Sequence, residues 1–372
     1  MTEIKYKIFD KIEAIGSPSW EALFGDPAEG YSFYKSVEES LLEGFSFSYL
    51  AIYKDSRLAV IAPLFCADFD LAIAADGFWE KLIKSARIFM PRFLICKTFF
   101  CGAPFSESGV LGACAGALED PAIRRVLLKA IEKQAAGHHA SLILFKDFLE
   151  KDALVLNYLR SFGFTKVSSY PAVDVSLNFK SFEEYLQSLG KSTRKNLKKK
   201  LQKSSEQGEI QVRLVDDIRP EIDKIMQLYE NTYQAGSTKF ERLNWEFFLR
   251  VNRQFSCARF FLYYFQDKLV AFNLCFSHKN ILIDKFIGLD YAVSNRLNLY
   301  FVSWAHNIKW CIEHQINAYY PGQTDYEPKI RLGGKLIPLY AYLKHRRLVA
   351  NFMIKILALF FKPDNFDKNL RS

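Results

Sequence analysis

No two of the seven cysteines stand at the close C-x-x-C spacing of a zinc site, and seven is an odd number. Cys66, Cys96, Cys101, Cys114, Cys257, Cys275 and Cys311 are scattered, most of them inside apolar runs such as 271–276 (AFNLCF). That is the pattern of buried, reduced thiols, so a cytoplasmic protein without disulfides or a cysteine-held metal is expected. Also missing is any run of roughly 18 to 20 uninterrupted apolar residues, the length of a membrane span. The longest candidate, 348–361 (LVANFMIKILALFF), is short and is interrupted by Asn351 and Lys355. The opening segment MTEIKYKIFDKIEAIG holds no apolar core of signal-peptide length, so export by the usual route is not expected.

What is abundant excludes disorder. Half of the 372 residues are apolar, with 34 Phe and 19 Tyr, enough for two domains that each bury a core. Nucleotide hydrolysis is not supported either. Gly190-Lys191-Ser192-Thr193 resembles the end of a P-loop, but Tyr185 stands where the first glycine is needed, and 183–189 reads as helix.

Periodicity places a helix at 34–42, paired strands at 49–53 and 58–64 turned at 54–57, a Pro-started helix at 121–135, a strand at 141–145 and a helix at 151–162 ending at Gly163. The second half repeats the order on a larger scale. Strands are expected at 172–177, 258–265, 269–276, 281–287 and 315–320, and helices at 181–205, 220–234, 244–253 and 296–313. Two α/β halves with mixed sheets follow, with a boundary in 163–171.

Residues 191–203 carry seven Lys or Arg in a chain of net charge +9. On a helix, Leu186, Leu189, Leu197 and Leu201 share one face and leave Lys191, Arg194, Lys195 and Lys198 on a flank. Such a flank suits a solvated surface or an anion: a cofactor's phosphates, an RNA backbone or lipid headgroups. A second charged segment, 319–347, follows a strand. Pro321-Gly322, Gly333-Gly334 and Pro338 punctuate it, and Asp325, Glu327, Lys329 and Arg331 lie between these breakers. Asp284 interrupts the apolar strand 281–287, where an ionised group needs a partner or a cleft. His306, Cys311 and His314 share a helix at separations that do not gather them as a metal triad, so no metal is expected.

Three groups of residues carry a family resemblance. The first is Pro321-Gly322-Gln323, Lys329-Ile330-Arg331-Leu332-Gly333-Gly334 and Pro338. The second is Phe182-Glu183-Glu184-Tyr185-Leu186 with Leu189 and Lys191-Ser192-Thr193-Arg194-Lys195-Asn196-Leu197. The third is Tyr233 with Gly236, and Phe286-Ile287-Gly288-Leu289-Asp290. In order and spacing, residues 159–347 resemble the Fem-like branch of the GNAT superfamily, which joins peptidoglycan aminoacyl transferases to acetyltransferase-like relatives. The resemblance implies tandem GNAT-like domains, here 1–168 and 169–347, followed by a C-terminal amphipathic helix and tail at 348–372.

It also implies transfer of an acyl or aminoacyl group from acyl-CoA or aminoacyl-tRNA to an amine acceptor such as a bacterial cell-envelope precursor. The rival expectation is a non-catalytic GNAT-like scaffold that binds such a precursor or nucleic acid; stable DNA binding is not expected. Lys329 occupies the signature lysine position and would stabilise the oxyanion or donor phosphates, with Asp325 or Asp284 taking the amine's proton or holding the ammonium group. Arg331, Gly322, Gln323, Tyr326 and Tyr233 would line the substrate, and Lys191, Arg194, Lys195 and Lys198 would meet donor phosphates. The turn 288–298 lacks the glycine pattern with which GNAT enzymes cradle a pyrophosphate, which weighs against acyl-CoA; Ser294 or Asn295 is the expected cap of the following helix.

Two stretches fit a peripheral place at the inner face of an anionic membrane as well as they fit a core. In 78–90, Lys81, Lys84 and Arg87 alternate with apolar residues. At the C-terminus, Arg347, Asn351, Lys355 and Lys362 form a narrow polar stripe on an apolar helix.

Overall fold

The computed structural model describes residues 3–74, 77–236, 239–323 and 325–358, with backbone alone at 73–74, 77–80 and 357; Lys362 lies outside the described residues. The chain forms two units, 1–171 with 338–372, and 172–337. Strands of the first are β1 (Ile4–Phe9), β2 (Ser46–Lys54), β3 (Arg57–Asp70), β4 (Ile95–Cys101), β5 (Gly112–Ala113), β6 (Leu142–Leu149) and β7 (Thr165–Ser168). Those of the second are β8 (Ala172–Ser176), β9 (Ile210–Val215), β10 (Ala258–Phe265), β11 (Lys268–His278), β12 (Ile281–Leu289), β13 (Ala318–Tyr320) and β14 (Lys335–Ile337). A last strand, β15 (Leu339–His345), returns to the first unit.

The sheets have corresponding orders, β1-β2-β3-β4-β6-β15-β7 and β9-β10-β11-β12-β13-β8-β14, with β5 pairing β3 at the side. In each, antiparallel strands lead to one parallel pair, β4 with β6 and β12 with β13. A parallel pair needs a crossover, supplied by the helix Pro121–Gly137 in one unit and by the helices Tyr291–Leu297 and Leu299–Glu313 in the other. The hairpin turns are local: Asp55-Ser56 and Gln266-Asp267 all have positive φ, the conformation a two-residue type I′ turn requires.

Several expected bounds shift. Residues 338–347, assigned above to the second domain, lie in the first unit, because β15 pairs β6 on one side and β7 on the other. The helix expected at 181–205 is two, Phe182–Ser188 and Lys191–Gln207, because Leu189 and Gly190 are extended (ψ 149° and 143°). Tyr185, Leu186, Leu189 and Leu197 nevertheless all reach one core. The helix expected from 296 begins at Tyr291 and breaks at left-handed Asn298; its cap is Asp290, which accepts from Ala292 N–H, and neither Ser294 nor Asn295. The strand before Pro321 starts at Ala318, since Gln315 is left-handed, and the charged segment beyond it contains the helix Tyr326–Arg331.

His306 on the helix Leu299–Glu313 packs edge-on against Phe261 and Tyr263, and burial, with Lys309 adding, pulls its pKa down to about 4. Between that value and about 6.5 the unfolded chain binds a proton that the folded chain does not, so stability rises with pH across this window. Acidification from about pH 6.5 to 4.5 should therefore lower the unfolding free energy by up to about 1.4 kcal/mol per pH unit, read as a falling urea midpoint. His306→Phe should flatten that slope; an unchanged slope assigns it to other groups.

Candidate functional site

β12 and β13 pair only through Ile281–Ala318, Leu282–Tyr319 and Ile283–Tyr320. Beyond them Pro321 has no N–H to extend the ladder and Gly322 turns at φ 74°, so the parallel strands part directly at Asp284. The turn lies close on β12: a Cβ on Gly322 would stand 3.4 Å from the Asp284 carbonyl oxygen.

A register shift between Leu274 and Cys275, opposite Phe286 and Asp284, leaves Lys285 as the extra residue. This bulge turns two residues of like parity to opposite faces. Phe286 packs with Tyr229, Phe247 and Phe248 on one side. On the other, Asn273 Nδ2 donates to Asp284 Oδ1 (2.5 Å), and Asn307 Nδ2 (3.2 Å) and Tyr319 Oη (2.8 Å) donate to Oδ2. Asn307 Nδ2 also donates to Asn273 Oδ1 at 2.7 Å, so the carboxylate is held by a network whose three donor residues are fully buried. Burial, with the Asp284 charge beside it, pushes the Tyr319 hydroxyl well above its ordinary pKa, which keeps it a donor.

Lys329 is 6% exposed. Its Nζ donates to the carbonyls of Gly322 (3.1 Å) and Gln323 (3.2 Å), which fixes an ammonium group on the turn where the strands part. The helix bearing it is anchored from below. Tyr185 Oη donates to Leu332 O and accepts from Trp304 Nε1, both at 2.9 Å, so one buried hydroxyl joins two of the three stretches that carry the family resemblance. Gly334 closes the helix by donating to Lys329 O, and a Cβ there would lie 2.8 Å from that oxygen.

Three buried polar atoms around this point have no hydrogen-bond partner among the described residues: Asn307 Oδ1, Gln323 Nε2 and Tyr300 Oη. Burial raises the Tyr300 pKa, and the charges of Asp284 and Asp325 raise it further. Native interiors rarely leave such atoms unpaired, so their clustering marks a place for a polar ligand or water.

The structure thus gathers Lys329, Asp284, Gly322 and Gln323. Asp325 adjoins them, exposed, at left-handed φ and without a capping bond. Tyr326 is buried, and Arg331 is exposed and paired with Glu327 at 2.6 Å. Tyr233 is not brought in; it stands on the helix Ile222–Ala235 across the sheet, stacked on Tyr229 at 6.0 Å. On the helix Lys191–Gln207, Lys191, Lys195 and Lys198 are exposed and Arg194 half-buried; Lys198 pairs with Glu183 and Arg194 donates to Gln187 O. Asn273, Asn307, Tyr319, Tyr300 and Tyr185 were not anticipated as site residues. Asn273 was detectable, since a polar residue in the apolar run 271–276 raises the same question as Asp284. His306, Cys311 and His314 do not form a cluster, and no group of three or more metal-type side chains occurs among the described residues.

The helices that start the crossovers bear on phosphate binding. Asp120 caps the helix Pro121–Gly137 by accepting from Ala122 N–H, and Asp290 caps its counterpart in the second unit. A carboxylate therefore sits at both helix starts, where an anion would otherwise be welcome.

This architecture is that of a tandem GNAT-type protein. Solved structures share it: "Crystal structure of FemX" aligns over 86% of this chain and 93% of its own at TM-score 0.54 and 12% identity. A "Tandem GNAT protein from the clavulanic acid biosynthesis pathway" aligns over 92% and 98% at TM-score 0.54 and 10% identity. The chain belongs to the FemAB-like family, described as peptidoglycan biosynthesis/recognition, which it matches over residues 11–352. Two Mycobacterium tuberculosis proteins (strains CDC 1551 / Oshkosh and ATCC 25618 / H37Rv) named "Putative 8-amino-7-oxononanoate synthase 2" are 26% identical over 327 residues, 85% of this chain and 42% of theirs. The chain spans about two fifths of the length of these curated relatives.

Proposed function

We propose that the chain is an acyl- or aminoacyltransferase acting on an amine, with a peptidoglycan precursor as the acceptor class that its family suggests. The observation that carries this is the buried ammonium group of Lys329, held by backbone carbonyls at the point where β12 and β13 part, beside a fixed carboxylate and unpaired polar atoms. The acceptor nitrogen attacks the donor carbonyl and forms a C–N bond. The carbonyl electrons move onto oxygen, where Lys329 stabilises them, and return as the C–O bond of an aminoacyl ester, or the C–S bond of a thioester, breaks. Asp284, engaged by three donors, supplies a fixed negative charge for the ammonium form of the acceptor. Asp325, which is exposed, takes the proton that the ammonium form loses before attack and passes it to water, and the second proton, shed from nitrogen as the amide forms, goes to the leaving ribose oxygen or thiolate. The aspartates at both crossover helices favour aminoacyl-tRNA over acyl-CoA as donor. They also favour the second reading, a binding protein without transfer chemistry.

Incubating the protein with aminoacyl-tRNA, or with acyl-CoA, and an envelope-precursor amine tests the reading by product mass. The expected product is the acceptor plus one acyl residue; bound acceptor that is never modified by either donor overturns it in favour of the binding protein. Exchange of Lys191, Arg194, Lys195 and Lys198 for Glu should weaken tRNA binding about tenfold or more at low salt. The fold should persist, since surface changes rarely exceed about 0.5 kcal/mol each. Unchanged binding removes this helix from donor recognition.

A further inference from the structure

Among the described residues, the first unit leaves two apolar surfaces uncovered at one end of its sheet. Register fixes the end: Ala67 pairs Thr98, Thr98 pairs Leu142 and Leu142 pairs His345. The helix Gly77–Phe89 connects β3 to β4 beyond that row, and the helix Leu348–Ala358 follows β15 there. β4 and β15 are two strand spacings apart, about 10 Å.

On the C-terminal helix, Leu348, Val349, Phe352, Met353 and Ile356 are exposed, Phe352 by 63%. Their spacing places them on one helix face. The orientation is locked, because the polar residue is the one turned inward: Asn351 accepts from His345 N–H at 2.9 Å and donates to Gly163 O at 3.0 Å. Of the two places this helix fits by its sequence, a core and a membrane interface, the exposed apolar side suits the second. Across the row, Ile88, Phe89 and Met90 end the other helix in the open, Phe89 by 87%. The charge around both is predominantly positive, Glu80 being the one acid on the helix Gly77–Phe89. Residues 81–97 hold five Lys or Arg and 344–358 hold four, with no Asp or Glu in either stretch. Neighbouring acids are engaged, Asp70 by Arg87, Asp68 by Arg92 and Glu132 by Lys344. No helix among the described residues is long and apolar enough to cross a membrane.

We infer that this end of the first unit docks on the surface of an anionic lipid bilayer, its apolar side chains entering the headgroup boundary and its basic residues meeting lipid phosphates. Apolar side chains rimmed mainly by cations match such a surface in both of its properties. The inference does not depend on the transfer chemistry of the second unit.

The test uses the full chain and vesicles of phosphatidylcholine with about a third phosphatidylglycerol, against phosphatidylcholine alone. The protein should sediment with the anionic vesicles and release as salt rises, since screening weakens the ionic part. Phe89→Glu with Phe352→Glu changes two exposed positions, so the fold should persist while vesicle partition falls about tenfold or more. Leu214→Glu, exposed on β9, should partition like wild type. Absence of binding to the anionic vesicles, or equal binding by the double variant, overturns the inference. Concentration-dependent dimers that the double variant abolishes, with no vesicle binding, would assign the face to a second copy instead.

Discussion

Lys329→Met is expected to lower transfer turnover about 100-fold or more, the usual consequence of removing a preorganised charge from beside a developing oxyanion. Methionine keeps most of the side chain's length and apolar bulk. What it gives up structurally is donation to the Gly322 and Gln323 carbonyls, which costs about 1–3 kcal/mol and leaves the unit folded. Catalysis and folding thus separate in this variant: a modest fall in the urea midpoint and a large fall in turnover. Lys335→Met is the control, because Lys335 is exposed on β14, a few residues away in sequence. Full turnover of the Lys329 variant at saturating substrate would reduce this lysine to a clamp on the turn.

Asp284→Asn is expected to damage both stability and activity. Asn273, Asn307 and Tyr319 all point donors at the two carboxylate oxygens, and an amide replaces one oxygen with another donor. At least one buried N–H or O–H is then left facing hydrogen, which costs about 3 kcal/mol or more when the network is counted together. Tyr319→Phe, which removes one donor without introducing a wrong one, should cost about 1 kcal/mol. Equal stability of Asp284→Asn and wild type in urea would mean that the carboxylate is not held by these three side chains.

What could be read from the sequence was what neighbouring residues decide. The two hairpins were legible because their turn residues interrupt apolar runs, and the helix Pro121–Gly137 because Asp120-Pro121 is a helix start in itself. Lys329, Gly322 and Asp284 stood out for the same local reason, charge or glycine against an apolar background. The remainder depends on partners far along the chain. Nothing near Asn307 shows that it meets Asn273 and Asp284, and the breaks at Leu189-Gly190 and Asn298 follow from packing that periodicity does not see. The same limit hid the orientation of the C-terminal helix, since only the Gly163 carbonyl and the His345 amide explain why Asn351 faces inward.

The position of β15 has a consequence for biosynthesis. β7 pairs with β15 and β6 pairs with its other edge, so the N-terminal sheet stays incomplete until the chain has been translated through His345. All seven strands of the second sheet lie between Ala172 and Ile337, and so emerge from the ribosome earlier. The unit translated second can therefore close first, reversing the usual N-to-C order of cotranslational folding. The nascent first unit meanwhile carries open strand edges, a hazard for edge-to-edge association that ends only when the last strand arrives.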